Sequence, residues 1–170
     1  IEVVSAVGSF TFDDLTLSGN TANGGTAPGN GGGYHISGLG TTIFTNSTVS
    51  GNTAVEGGGL WNNAGAMIVT DTEVSGNTAT GADADQGGGG IYNESGALTV
   101  DGTSLIDSNV ATGNAGSGGG ILTNEGTLVV DGITISNNQA NRAGGGIEVR
   151  SAAGVFTFDA LTLDGNSTPL

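Results

Sequence analysis

Six asparagines, Asn20, Asn52, Asn77, Asn109, Asn138 and Asn166, recur at intervals of 32, 25, 32, 29 and 28 residues. A period of this size constrains the fold more than any local propensity does. A unit so short cannot bury its own apolar face and has to stack on its neighbours. The irregularity is itself ordered. From the last glycine of each Gly block (Gly33, Gly59, Gly90, Gly120, Gly146) to the following asparagine the count is 19, 18, 19, 18 and 20. From each asparagine to the next Gly block it varies widely. One stretch of the repeat is framework and the other is loop.

The framework alternates. In "FTFDDLTLSGN" Phe10, Phe12, Leu15 and Leu17 point one way, and Thr11 and Thr16 the other. A period of two is the signature of strand. The stretches "TIFTNSTVSGN", "MIVTDTEVSGN", "LVVDGITISNN" and "FTFDALTLDGN" repeat it. "LTVDGTSLIDSN" carries one extra residue at its turn, which predicts a small bulge. A third strand starts at the glycines, as in "GGGLWN" and "GGGIYN". No helical periodicity is present. The expectation is an all-β, right-handed parallel β-helix of about six coils of 25–32 residues, with three short strands per coil. The coils fall approximately at 1–30, 31–56, 57–86, 87–117, 118–143 and 144–170 in a single array.

Stacking turns the alternation into columns. The predicted core is Ile1, Tyr34, Leu60, Ile91, Ile121 and Ile147 on one wall. Phe12, Phe44, Val69, Val100, Val130 and Phe158 line the second, and Leu17, Val49, Val74, Ile106, Ile135 and Leu163 the third. The repeated asparagine then has a structural purpose. An inward amide can donate to one neighbouring coil and accept from the other, satisfying buried backbone groups at a corner. The glycines follow because the chain re-enters the wall from a loop, where positive φ and close backbone approach are needed.

Composition removes several function classes. There are 2 Lys+Arg, both arginine (Arg142 and Arg150), against 16 Asp+Glu, for a formal charge of −14. Nucleic acid and anionic membrane surfaces both demand basic side chains, so neither is an expected partner. There is no cysteine, hence no disulfide frame or thiolate metal site. No apolar run approaches the roughly 20 residues that span a bilayer, which speaks against direct membrane insertion. The start at Ile1, without Met, suggests a processed protein or a piece of a longer one.

"GGGIYNESGALTVDGTSLIDSN" resembles the Gly-Gly-apolar and Asn-bearing repeats of bacterial right-handed β-helix surface proteins, including the polymorphic outer-membrane protein type and related secreted repeat proteins. The resemblance runs through essentially the whole chain. It implies secretion, a place at the bacterial cell surface and a role in adhesion or surface structure. It supplies no catalytic motif, and it leaves the anchoring open.

Three features bear on chemistry. Lyase action on an acidic polysaccharide wants a strong base and a cation, but Arg142 and Arg150 have no second base beside them. His35 is the only histidine, which argues against a Ser-His-Asp relay. No cofactor is required by this reading, and the chain is expected not to be an enzyme. Second, the position two after each Gly block faces outward: His35, Trp61, Tyr92 and Leu122, flanked by Glu2 and Glu148. This row is either an exposed stripe for a partner or surface glycan, or a patch buried under long loops such as "TGADADQ". Third, Asp13, Asp14, Asn46, Asp71, Asp101, Asp131 and Asp159 form an acidic column at the turn after the second strand. Calcium could bridge Asp71, Asp101 and Asp131, although Asp also suits turns for its own reasons. Asp83 and Asp85 are a second calcium candidate.

Residues 1–20 match 147–166 at 15 of 20 positions, and neither copy carries an amphipathic cap. An uncapped solenoid exposes strand edges that invite pairing. The partner is therefore self, through head-to-tail stacking, or else neighbouring coils of a longer array with a super-repeat of 146 residues.

Overall fold

The computed structural model describes residues 1–4, 7–22, 29–150 and 154–169. It is an all-β parallel solenoid with no helix among these residues. Three walls run the length of the molecule, six strands in each. The first is built from Glu2–Val3, Tyr34–Ile36, Leu60–Asn62, Ile91–Asn93, Ile121–Thr123 and Ile147–Val149. The second contains Ser9–Asp13, Thr41–Thr45, Ala66–Thr70, Ala97–Asp101, Thr127–Asp131 and Phe156–Asp159. The third contains Thr16–Ser18, Thr48–Ser50, Glu73–Ser75, Leu105–Asp107, Thr134–Ser136 and Thr162–Asp164. Each strand pairs in parallel only with its counterparts one coil away, in register.

The predicted columns are the core. Tyr34, Leu60, Ile91 and Ile121, Phe44, Val69, Val100 and Val130, and Val49, Val74, Ile106 and Ile135 have no solvent exposure. Their end-coil counterparts do: Ile1 is 53% exposed, Phe158 47% and Leu163 59%. The sequence places all of them inward, and among the described residues the first and last coils have a paired coil on one side only. In the first coils the aromatic members pack ring on ring. Phe12 stacks on Phe44 at 5.1 Å, and Tyr34 meets both edge-on. The extra residue of "LTVDGTSLIDSN" sits outside the strands, in the turn at residues 102–104, where Gly102 takes φ +69°.

A fourth, shorter ribbon supplements the three walls. Thr53–Ala54, Thr78–Ala79, Val110–Ala111 and Gln139–Ala140 pair in parallel just after the repeated asparagine. Two residues per strand are too few to show an alternation in sequence.

At the same corner the six asparagines form a continuous ladder. The backbone N–H and Nδ2 of Asn52 both donate to Asn77 Oδ1 at 2.9 Å. The second Nδ2 hydrogen goes back to Leu17 O at 2.9 Å. Asn77, Asn109 and Asn138 repeat the pattern, each bonding the next asparagine and a carbonyl of the coil before. Every donor and acceptor of these buried amides is used.

The Gly block is the other half of this device. In "GGGL" Gly57 adopts φ +60°, which side chains resist. A Cβ on Gly58 would lie 2.4 Å from Gly89 O, and one on Gly59 would lie 3.1 Å from the Asn77 amide. The third glycine therefore touches the asparagine of its own coil across the narrow interior. That contact explains the near-constant count between them: lengthening the framework would pull the pair apart, whereas the loop on the other side has no such constraint.

Candidate functional site

His35, Trp61, Tyr92 and Leu122 stand side by side on the outer face of the first wall, in register, with Glu2 and Glu148 continuing the row. Trp61 and Tyr92 are parallel, with ring centroids 6.1 Å apart, and His35 meets Trp61 edge-on at 4.5 Å. The alternation put these residues outside the main core, and Trp61, Tyr92 and Leu122 form a separate apolar cluster there. They are nevertheless not an open stripe. Trp61 is 7% exposed, Tyr92 2% and Leu122 0%. A sugar or partner stacking on these rings would have to displace what covers them.

Carboxylates edge this cluster. Trp61 Nε1 donates to Glu56 Oε2 at 3.2 Å, and the Tyr92 hydroxyl donates to Glu94. Burial raises the Glu56 carboxyl above the ordinary carboxylate range; the Trp61 bond opposes this, and the charges of Glu94 and Asp85 add to it. Burial also pushes the Tyr92 phenol upward, reinforced by its bond to Glu94 and by the charges of Glu56, Glu94 and Asp85. For His35 burial lowers the pKa, with Glu2 at 3.9 Å opposing. At the far end Arg142 pairs with Glu148 and donates to Ser117 Oγ through Nε and Nη2 at 3.0 and 2.7 Å. Arg142 thus ties together three successive coils. Sequence spacing gave no sign of this role.

The Glu56 environment makes a testable statement about stability. A carboxyl whose folded pKa is raised binds its proton more readily when folded. Stability therefore falls as pH rises from the ordinary carboxylate pKa through the raised one, and the full penalty persists above it. Glu56→Gln keeps an acceptor for Trp61 and removes the charge. The variant should melt higher than the parent at neutral pH, by about 2–4 °C if the relief is about 1 kcal/mol. The two curves should converge as pH is lowered, which a pH series of thermal melts would show. A lower melting temperature at neutral pH would refute the assignment.

The acidic column resolves into two adjacent rows. Asp13, Asp101, Asp131 and Asp159 end strands of the second wall. Asp14, Asn46 and Asp71 occupy the next position, with φ of 54°, 49° and 50°. The carboxylates of Asp13, Asp71 and Asp101 accept from neighbouring coils. Asp13 Oδ1 takes Thr45 Oγ1 and Asn46 Nδ2, both at 2.9 Å. Asp71 Oδ1 takes the backbone N–H and hydroxyl of Thr103 at 2.8 and 2.9 Å. Thr70 Oγ1 donates to Asp101 at 2.5 Å. These bonds hold the carboxyls of Asp13 and Asp71 below their ordinary values. Asp83 and Asp85 lie exposed on their loop, where Gln86 bonds back to the backbone of Asp83. Among the described residues no three His, Cys, Asp or Glu side chains converge as a metal-binding group.

A second, shorter amide ladder lies at the end of the first wall. Asn62 Nδ2 donates to Asn93 Oδ1 at 2.8 Å and to Gly65 O at 3.1 Å, and Asn93 Nδ2 donates to Gly96 O at 3.0 Å. It stops where Ile36 and Thr123 take the equivalent positions.

Against known proteins, residues 132–150 match the repeat of the Chlamydia polymorphic membrane protein family. That segment runs from the third-wall strand Thr134–Ser136 through Asn138 to the Gly block and Ile147–Val149. It therefore holds one ladder asparagine and one Gly block, which belong to successive coils. The match and the parallel solenoid together fit a polymorphic outer-membrane protein-like β-helix repeat protein. No curated protein and no solved structure matches the chain. The repeat match suggests a surface-exposed bacterial repeat protein.

Proposed function

We propose that the chain is a non-enzymatic structural or adhesive element of a bacterial surface, extended by coil stacking into a fibre or a longer array. The observation that carries this reading is where the buried polar groups are used. The buried amides of Asn52, Asn77 and Asn109 bond neighbouring coils along the axis. The aromatic row, which a carbohydrate-binding domain would present open, is covered. Protease shaving and antibody labelling of intact cells carrying a tagged native protein test the location. The tag should be reached from outside. Protection until lysis would overturn the reading. Glycan binding abolished by Trp61→Ala would favour the carbohydrate alternative instead.

The acidic column belongs to the same proposal as turn and inter-coil chemistry, with hydroxyl and amide donors in place of calcium. The melting temperature should then be the same in millimolar calcium and in chelator. A rise of several degrees with calcium would assign the cation to the column, since a ligand stabilises the state it binds.

A further inference from the structure

Trp61 is the chain's one tryptophan, and Glu56 is the acid bonded to it. The backbone around Glu56 is held from both sides. Val55 N–H donates to Gly29 O at 2.6 Å, Gly31 N–H to Glu56 O at 2.9 Å, and Gly57 N–H to Gly87 O at 2.9 Å. Gly57 packs so closely on Trp61 that a Cβ there would lie 3.1 Å from the Trp61 Cβ. The segment is therefore fixed beside the ring, and the Glu56 side chain is the part with freedom to change place. Its Oε2 sits 3.2 Å from the indole Nε1.

The charges around Glu56 are of its own sign. From the following coil Glu94 and Asp85 both act on it. Glu94 is held at the row by the Tyr92 hydroxyl and by Asn124 Nδ2 at 3.3 Å, and Asp83 shares the loop of Asp85. From the coil before come Asn30, whose backbone pairs with Glu56, and His35, edge-on to Trp61 with Glu2 3.9 Å away. Arg142 is taken up by Ser117 and Glu148, and neither it nor Arg150 is among the charges acting on Glu56. Residues 23–28 carry no ionisable side chain. An ionised Glu56 is thus opposed first by burial and then by two like charges, and only the Trp61 bond favours it.

We propose that Glu56 is a proton-operated latch on Trp61. With its proton the side chain keeps the place the structure shows, on the indole, and shuts water from the ring. Once the proton is given up to solvent, the carboxylate turns outward, away from Glu94 and Asp85, and water reaches the indole edge. The three walls do not move. Acid closes the latch and neutral pH opens it, because only the ionised form is both poorly solvated in place and repelled by its neighbours. The latch is a property of the folded coil and is independent of where the protein resides.

As the single tryptophan, Trp61 reports on the latch without a label. Acrylamide quenching of its fluorescence should be weak in acid and rise several-fold toward neutral pH, with a midpoint above the ordinary glutamate value of about 4.3. Far-UV circular dichroism should stay constant over that range in the parent and in each variant. Glu56→Gln keeps an acceptor for Trp61 without the charge, and should hold the weak quenching at every pH. Glu56→Ala removes the cover and should give the strong quenching at every pH. Asp85→Asn and Glu94→Gln should each move the parent's midpoint down toward the ordinary value. Quenching that is independent of pH in the parent, or that grows toward acid, would overturn the proposal. So would a pH dependence that survives in Glu56→Gln, or an alanine variant as well protected as the parent in acid.

Discussion

Ile106→Asp should leave the chain unable to hold its solenoid. Ile106 has no solvent exposure and sits mid-column between Val74 and Ile135. Losing the side chain's packing costs about 2–5 kcal/mol. Burying a carboxylate with no partner adds several more, of order 3–5 kcal/mol. The sum is comparable with the whole net stability of a typical domain, about 5–15 kcal/mol. Far-UV circular dichroism should show loss of the cooperative β-sheet transition, or a melting temperature lowered by tens of degrees. Thr16→Asp, on the exposed outer face of the third wall, should change stability by no more than about 0.5 kcal/mol. Equal melting temperatures for the two variants would refute the inward and outward assignment of this wall.

The second large effect is expected at the ladder. Asn109→Ala removes the acceptor for the backbone N–H and Nδ2 of Asn77, and the donor to Val74 O. All three groups are buried where water does not replace the lost partner. At about 1–3 kcal/mol for each orphaned group the loss is about 3–9 kcal/mol. Asn20→Ala should cost much less, because no described group donates to Asn20 and it lies at an exposed corner. Denaturant melts of the two variants measure the gradient directly. Equal losses would mean that the amides act singly and not as a ladder.

The architecture was legible because its two signals repeat in every coil. Alternation assigned the three inward columns, and the fixed Gly-to-Asn count marked two positions that touch across the interior. Features present in only some coils were not legible. The Asn62–Asn93 pair occupies two coils and is bounded by Ile36 and Thr123, so no periodicity announces it. Alternation also tells which face a side chain takes, not what lies above it. It placed Trp61 and Tyr92 outside the first wall and could not tell whether loops would cover them. Glu56 and Arg142, which bond across that region, belong to the segments whose length and sequence vary from coil to coil. The acidic column read as one row because its two rows are adjacent in sequence. Only the backbone separates the strand-end positions from the left-handed ones, as at Thr70 and Asp71.

All the ladder amides point the same way, each Oδ1 turned toward the coil before it. They are a single file of aligned dipoles, and aligned hydrogen bonds polarise one another by about 10–30% per bond in condensed phases. An interior amide is reinforced from both sides, a terminal one from one side only. Resistance to heat should therefore rise with coil number and then level off, with melting entering from the extremities as fraying. A polypeptide of this kind gains toughness by lengthening, with no change to any single repeat.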